Sequence, residues 1–204
     1  MGFTGHLVFG RNERLPLLDA PVFERFQPEV RAAIPAWRPR PGGWQTLQLE
    51  YDQWDQPDLA EQSLDELVEW TGAPACSAAV YDSDIAVVTG LDTEGRRWQA
   101  FLNVGIAAAA WVEVPEDVQD QSVWVATPEF DEAVTRKHAE LEAQVANSAR
   151  GALVWAAAAG FADGVDQASI EEVLRSHEVF VEDLFVVLLD RLGFAKAEEP
   201  VPAS

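Results

Sequence analysis

In 204 residues this chain has one cysteine, one methionine and two tyrosines, and its 14 basic residues include only two lysines. The lone Cys76 rules out an internal disulfide and any Cys-x-x-Cys redox or zinc arrangement. Three histidines, with no His-x-x-x-His or Glu-x-x-His spacing, leave no helix-borne metal pair, and no Gly-rich phosphate loop or Gly-x-Ser-x-Gly elbow occurs. The longest apolar runs, 152–162 and the stretch from Phe180, are too short or too interrupted by acids to span a bilayer, which needs about 20 apolar residues. No basic-then-apolar leader is read, and Met1-Gly2 fails the myristoylation pattern because His6 stands at its Ser/Thr position. The expected compartment is the cytoplasm, with neither membrane nor cofactor.

Positive charge is the scarcest commodity. Against 14 Lys plus Arg stand 35 acids, a formal net charge of −21. A field of that size repels nucleic acid and anionic membrane and favours cationic partners. Its distribution is uneven: residues 1–40 hold six Arg and four acids, whereas 50–69 hold eight acids and no base, and 113–132 seven acids and no base. The first block also contains Leu, Val and Trp and the second Val and Trp, so they read as faces of folded elements rather than as disordered tails. With 48% hydrophobic residues and eight Trp, the chain has material for a sizeable core.

Periodicity places strands at 3–10, 44–50, 75–81, 85–91 and 96–103, the last two joined by a hairpin turn at Asp92-Thr93-Glu94-Gly95. Residues 11–17 read as an irregular connection, 22–34 as a weak helix interrupted by Pro28, and Arg38-Pro39-Arg40-Pro41-Gly42-Gly43 as a segment that cannot be helical. A helix is expected from the Ser63/Glu66 capping box, with Leu64, Leu67, Val68 and Thr71 on one stripe and a stop at Gly72 and Pro74. Thr127-Pro128 starts another, with Phe130, Val134, Leu141 and Val145 on one face; it either runs through Gly151 or breaks there. A third helix is expected from a second capping box, Ser169/Glu172, its apolar stripe running from Ile170 to Leu192 and ending at Gly193. The expected fold is a single α+β domain over 1–194, a mixed or antiparallel sheet from the N-terminal half covered by C-terminal helices, with 195–204 as a flexible tail.

Five features are candidates for chemistry or contact. Asp82 and Asp84, two apart, would point both carboxylates to one side of an extended backbone and could hold a divalent metal or a small ligand; a polar turn between strands explains them as well. His138 and His177 fall on apolar stripes and read as structural histidines at the core margin, and Cys76 as buried packing. Arg38-Pro39-Arg40-Pro41 is either a polyproline recognition segment or a rigid lead into a strand. The last helix carries Val179, Phe180, Val186 and Val187 on a second apolar face, which must be sandwiched in the core or cover a second copy of the chain.

The stretches Phe3-Thr4-Gly5-His6-Leu7-Val8-Phe9-Gly10-Arg11, Arg40-Pro41-Gly42-Gly43-Trp44-Gln45, Thr71-Gly72-Ala73-Pro74-Ala75 and Tyr81-Asp82-Ser83-Asp84 resemble a group of small acidic proteins of high-GC Gram-positive (actinobacterial) bacteria. Twelve Arg against two Lys agrees with such a genome. The resemblance implies a bacterial cytoplasmic protein and brings no established activity, so no functional residue is carried over from it.

The charge pattern makes a non-enzymatic acidic protein-binding module, immunity-like or regulatory, the leading expectation. Glu50, Asp52, Asp55, Asp58, Glu61, Asp65, Glu66 and Glu69 would form the face for a basic partner. The alternatives are an enzyme or small-ligand or metal binder using Asp82 and Asp84, and a soluble scaffold or homodimer associating through Val179, Phe180, Val186 and Val187.

Overall fold

The computed structural model describes residues 2–13, 15–26, 28–34, 36–50, 57–116, 118, 120–161 and 164–194. Six strands form one sheet: β1 (Gly5–Arg11), β2 (Ala36–Arg40), β3 (Trp44–Glu50), β4 (Ala75–Tyr81), β5 (Ile85–Leu91) and β6 (Arg97–Leu102), in the spatial order β2-β3-β1-β4-β5-β6. Every pairing is antiparallel, which settles the sheet type the sequence left open. Period-two alternation explains why the sheet has two working faces. Leu7, Phe9, Cys76, Ala78, Val80, Ala86, Val88, Trp98, Ala100 and Leu102 point to one side, while Val8, Leu47, Leu49, Ala75 and Leu91 point to the other.

The helices are α1 (Pro28–Ala33), α2 (Pro57–Thr71), α3 (Val104–Ala110), the single turn α4 (Gln121–Trp124), α5 (Pro128–Ala158), α6 (Gln167–Arg175) and α7 (Val181–Arg191). On the first face, α5, α6 and α7 bury Val145, Ala149, Ala152, Trp155, Ile170, Leu174, Val181, Leu184, Phe185 and Leu188 against the sheet. Trp155 is the keystone of that layer. Its indole N–H is shared between the carbonyls of Ala75 and Leu91, both at 3.1 Å, so the ring is packed and polar-satisfied at once. On the second face, α2 and the short turns Leu17–Asp19 and Pro21–Phe23 cover Val8, Leu47 and Leu49 of β1 and β3 and the Ala75 and Leu91 ends of β4 and β5. At the far end α3 packs Ala107 and Ala108 against Ile85 and Leu141. Cys76 is fully buried, as expected.

Several expectations change. The segment that could not be helical carries the end of β2, an edge strand, where a proline is tolerated, and its pairing with β3 shifts register between Trp37 and Arg40. The weak helix at 22–34 is two pieces, a 3-10 turn and α1. The Ser63/Glu66 capping box does not start a helix: α2 begins at Pro57, and Ser63 is a buried interior residue whose hydroxyl accepts from Arg25 Nη1 at 3.4 Å. Likewise α6 begins three residues before the Ser169/Glu172 box expected, with Asp166 as its N-cap. Thr127 does cap α5, its hydroxyl accepting from the Phe130 N–H, and α5 runs unbroken through Gly151. The long stripe from Ile170 to Leu192 is two helices, separated at Ser176, where the chain turns extended. The expected tail, 195–204, lies outside the described residues.

Candidate functional site

The β4–β5 turn is built from Asp82, Ser83 and Asp84, and Asp82 and Ser83 have φ of +52° and +60°. Both residues are left-handed, so the extended backbone that would have aimed Asp82 and Asp84 to one side is absent, and the polar-turn alternative holds. Left-handed non-glycine residues are strained and persist only when their surroundings hold them. Here the N-terminal segment does so. Gly2 N–H donates to Asp82 Oδ1 at 2.7 Å, Phe3 N–H to Ser83 Oγ at 2.7 Å, Ser83 N–H to the Phe3 carbonyl at 2.8 Å and Asp82 N–H to Thr4 Oγ1 at 2.9 Å. Gly2 must be glycine for this, since a Cβ there would lie 2.0 Å from the Asp82 carbonyl oxygen.

The same turn fixes the chain between α6 and α7. Val181 N–H donates to the Ser83 carbonyl at 2.8 Å, and Ser83 Oγ donates to Glu182 Oε1 at 2.6 Å. Asn103, left-handed at φ +55° and 1% exposed, donates from its amide to the carbonyls of Asp84 and Glu178 and accepts from the Glu178 N–H at 3.1 Å. These bonds replace the helical ones that a continuous α6–α7 would have made. The result is a stiff bend that lifts Val179 and Phe180 into solvent, 73% and 56% exposed. Around this apolar knob stand Asp82, Asp84 and Glu178, all exposed, and the half-buried Glu182 and Asp183. Glu182 Oε2 is shut off from solvent with no hydrogen-bond partner among the described residues. The sequence therefore named Asp82 and Asp84 for one role and Val179 and Phe180 for another, and the fold brings all four together.

The remaining candidates are dispersed. Val187 is exposed and Val186 half-buried on α7, whose opposite side is core, so the second apolar face is real only in part. His138, on α5, and His177, between α6 and α7, are both exposed, not at the core margin: the apolar spacing that placed them there ignored where each helix turns its stripe. Among the described residues no group of three His, Cys, Asp or Glu is placed to hold a metal. Glu50, Asp65, Glu66 and Glu69 are exposed, but Asp65 pairs with Arg97 at 2.6 Å and Glu66 with Arg25 at 2.9 Å, so bases from distant sequence relieve part of a block that contains none. Asp52 and Asp55 lie outside the described residues, as do the side chains of Asp58 and Glu61. Arg40 is no exposed recognition residue: it is buried and paired to Asp190.

Two other places stand apart from these candidates, the first of them not singled out in the sequence. The uncovered part of the second sheet face, between α2 and α3, holds a cavity of about 320 Å³ floored by Ser77, Ala79, Val87, Thr89 and Gln99. The segment from Glu113 to Glu132 exposes Val123 and Val125 beside acids that form no ion pair among the described residues. The signal for the first was the polar alternate residues in 75–99; for Asn103 it was an Asn directly after a strand, the residue type most at home at positive φ after glycine. Among the described residues no helix is long and apolar enough to cross a membrane. No family model, curated protein or solved structure matches this chain.

Proposed function

We propose that this chain is a non-enzymatic docking module, immunity-like or regulatory, for a basic protein partner, and that the Val179–Phe180 knob with its carboxylate surround is the centre of the contact. The observation that carries the reading is the rigid exposure of two large apolar side chains inside an acidic ring. Interface energy concentrates in a few apolar anchors near the middle of a patch, surrounded by a polar rim. An anchor that is held in place before binding loses little conformational entropy on docking, and here Asn103 and Ser83 hold it. The rim acids and the −21 net charge steer a cationic partner into register, which acts mainly on the association rate. The Glu50–Glu69 acids add to that long-range field.

Exposure of the same knob also favours a homodimer, and salt separates the two readings. Two copies of a strongly acidic chain repel, so self-association strengthens as salt screens the charge, whereas docking of a basic partner weakens. The test is affinity capture on the immobilised full chain with lysate of its own cell, followed by purified binding to each captured protein. The expected result is a basic partner whose affinity falls steeply between about 0.1 and 0.5 M NaCl. Phe180→Ser, or Asp82→Lys with Asp84→Lys, should lower that affinity by about tenfold or more, roughly the effect of losing one anchor or two rim charges. Asn103→Ala should weaken it too without touching the surface. Acidic or neutral partners, binding indifferent to these changes, or sedimentation showing a salt-strengthened dimer would overturn the reading.

A further inference from the structure

The uncovered sheet face is a lattice whose chemistry is ordered row by row. Ser77 pairs with Thr89 and Thr89 with Gln99, so three polar side chains from β4, β5 and β6 lie side by side. The adjacent row is Ala79, Val87 and Phe101, also in register, with His6 opposite Ala79 on β1. A polar stripe therefore runs directly beside an apolar one. Small residues at 77 and 79 lower the floor. The walls are unequal: Leu64 of α2 on one side, and on the other an aromatic group in which Trp111 meets Tyr81 edge-on at 5.7 Å and Phe101 edge-on at 5.4 Å. The Arg97–Asp65 pair, 2.6 Å long, ties β6 to α2 at the end nearest Gln99.

We propose that this cavity binds a planar one- or two-ring aromatic molecule with a hydrogen-bonding edge, uncharged or cationic. The apolar row and the aromatic wall suit the faces of a flat ring, and Ser77, Thr89 and Gln99 offer both donors and acceptors along one side of it. About 320 Å³ lies at the small end of the range of ligand pockets and suits one or two rings. Among the described residues no Lys or Arg lines the cavity, and the whole-molecule field is negative, so an anion is disfavoured. Unlike the knob, this site recognises a small molecule, and neither proposal depends on the other.

The experiment is a titration of the isotopically labelled full chain with benzimidazole, indole and 2-aminoquinoline, following amide shifts, with cyclohexylamine and benzoate as non-planar and anionic controls. At least one planar probe should shift His6, Ser77, Thr89, Gln99 and Trp111 together and bind about tenfold or more tighter than either control. Val87→Trp, which fills the floor from a half-buried position, should abolish that binding. Thr89→Val, nearly isosteric, should weaken it by about fivefold or more and serves if the larger replacement unfolds the chain. Shifts that are absent up to the solubility limit, scattered over the molecule, equal for benzoate, or unchanged in Val87→Trp or Thr89→Val would each overturn the proposal.

Discussion

Arg40 shows how much can rest on one side chain. Its guanidinium is 1% exposed and donates to Asp190 Oδ1 at 2.5 Å and to the carbonyls of Phe194 and Val186, both at 3.3 Å, joining an edge strand to the C-terminal end of α7. Arg40→Leu takes the donor from the partly exposed Asp190 and from two carbonyls, so it should lower unfolding free energy by about 2–3 kcal/mol in urea denaturation. Asp92 makes a second, pH-dependent contribution. Burial pushes its carboxyl up, but hydrogen bonds from the Arg96 side chain and backbone and from the Glu94 N–H outweigh that and hold it below the ordinary carboxylate range. A carboxyl depressed in the folded state stabilises fully above its unfolded pKa, near 4, and loses that contribution as pH falls through the folded value. Stability measured from pH 7 down to about 2 should therefore fall more steeply in the native chain than in Asp92→Asn. Cys76 is the inert counterpart: burial pushes its thiol far up, and the native protein should react with a thiol reagent only as fast as it opens.

At the scale of elements, α5 sets local preference against packing. Gly151 interrupts an otherwise strong helix, and replacing a helix-interior glycine with alanine normally adds up to about 1 kcal/mol. Here α5 crosses β6 so closely that a Cβ on Gly151 would lie 2.7 Å from the Trp98 Cβ, well inside contact distance. Gly151→Ala should consequently destabilise by about 1–3 kcal/mol, the usual range for overpacking, and thermal or urea unfolding reads the sign directly. Capping shows the same hierarchy. Thr127-Pro128 was legible and correct because an N-cap is a local device. The Ser63/Glu66 and Ser169/Glu172 boxes were false starts because nothing in their spacing records that the helix had already begun.

The molecule as a whole carries a charge of −21 whose self-repulsion opposes the compact state. Ion pairs such as Arg25–Glu66, Arg97–Asp65 and Arg175 with Glu142 and Glu171 relieve it locally, but 14 bases cannot neutralise 35 acids. Raising NaCl from about 10 mM to 0.5 M, which shortens the screening length from about 30 Å to a few Å, should raise Tm, and a fall would mean that the surface pairs outweigh the repulsion.

What the sequence determined by itself was whatever depends on neighbours along the chain. The 75–102 strands and their hairpin followed from alternation and turn residues, the α5 start from its cap, the buried Cys76 from its apolar setting, and the α+β class from the order of these elements. Tertiary structure alone decided what depends on residues far apart. It made Pro39 an edge-strand residue, and it broke the Ile170–Leu192 stripe by giving Asn103 and Ser83 to the bend between α6 and α7. It also joined Asp82 and Asp84 to Val179 and Phe180, about 100 positions away. The physical reason is that periodicity records which side of an element is apolar, whereas a site is defined by which surface remains uncovered after every such side has found its partner.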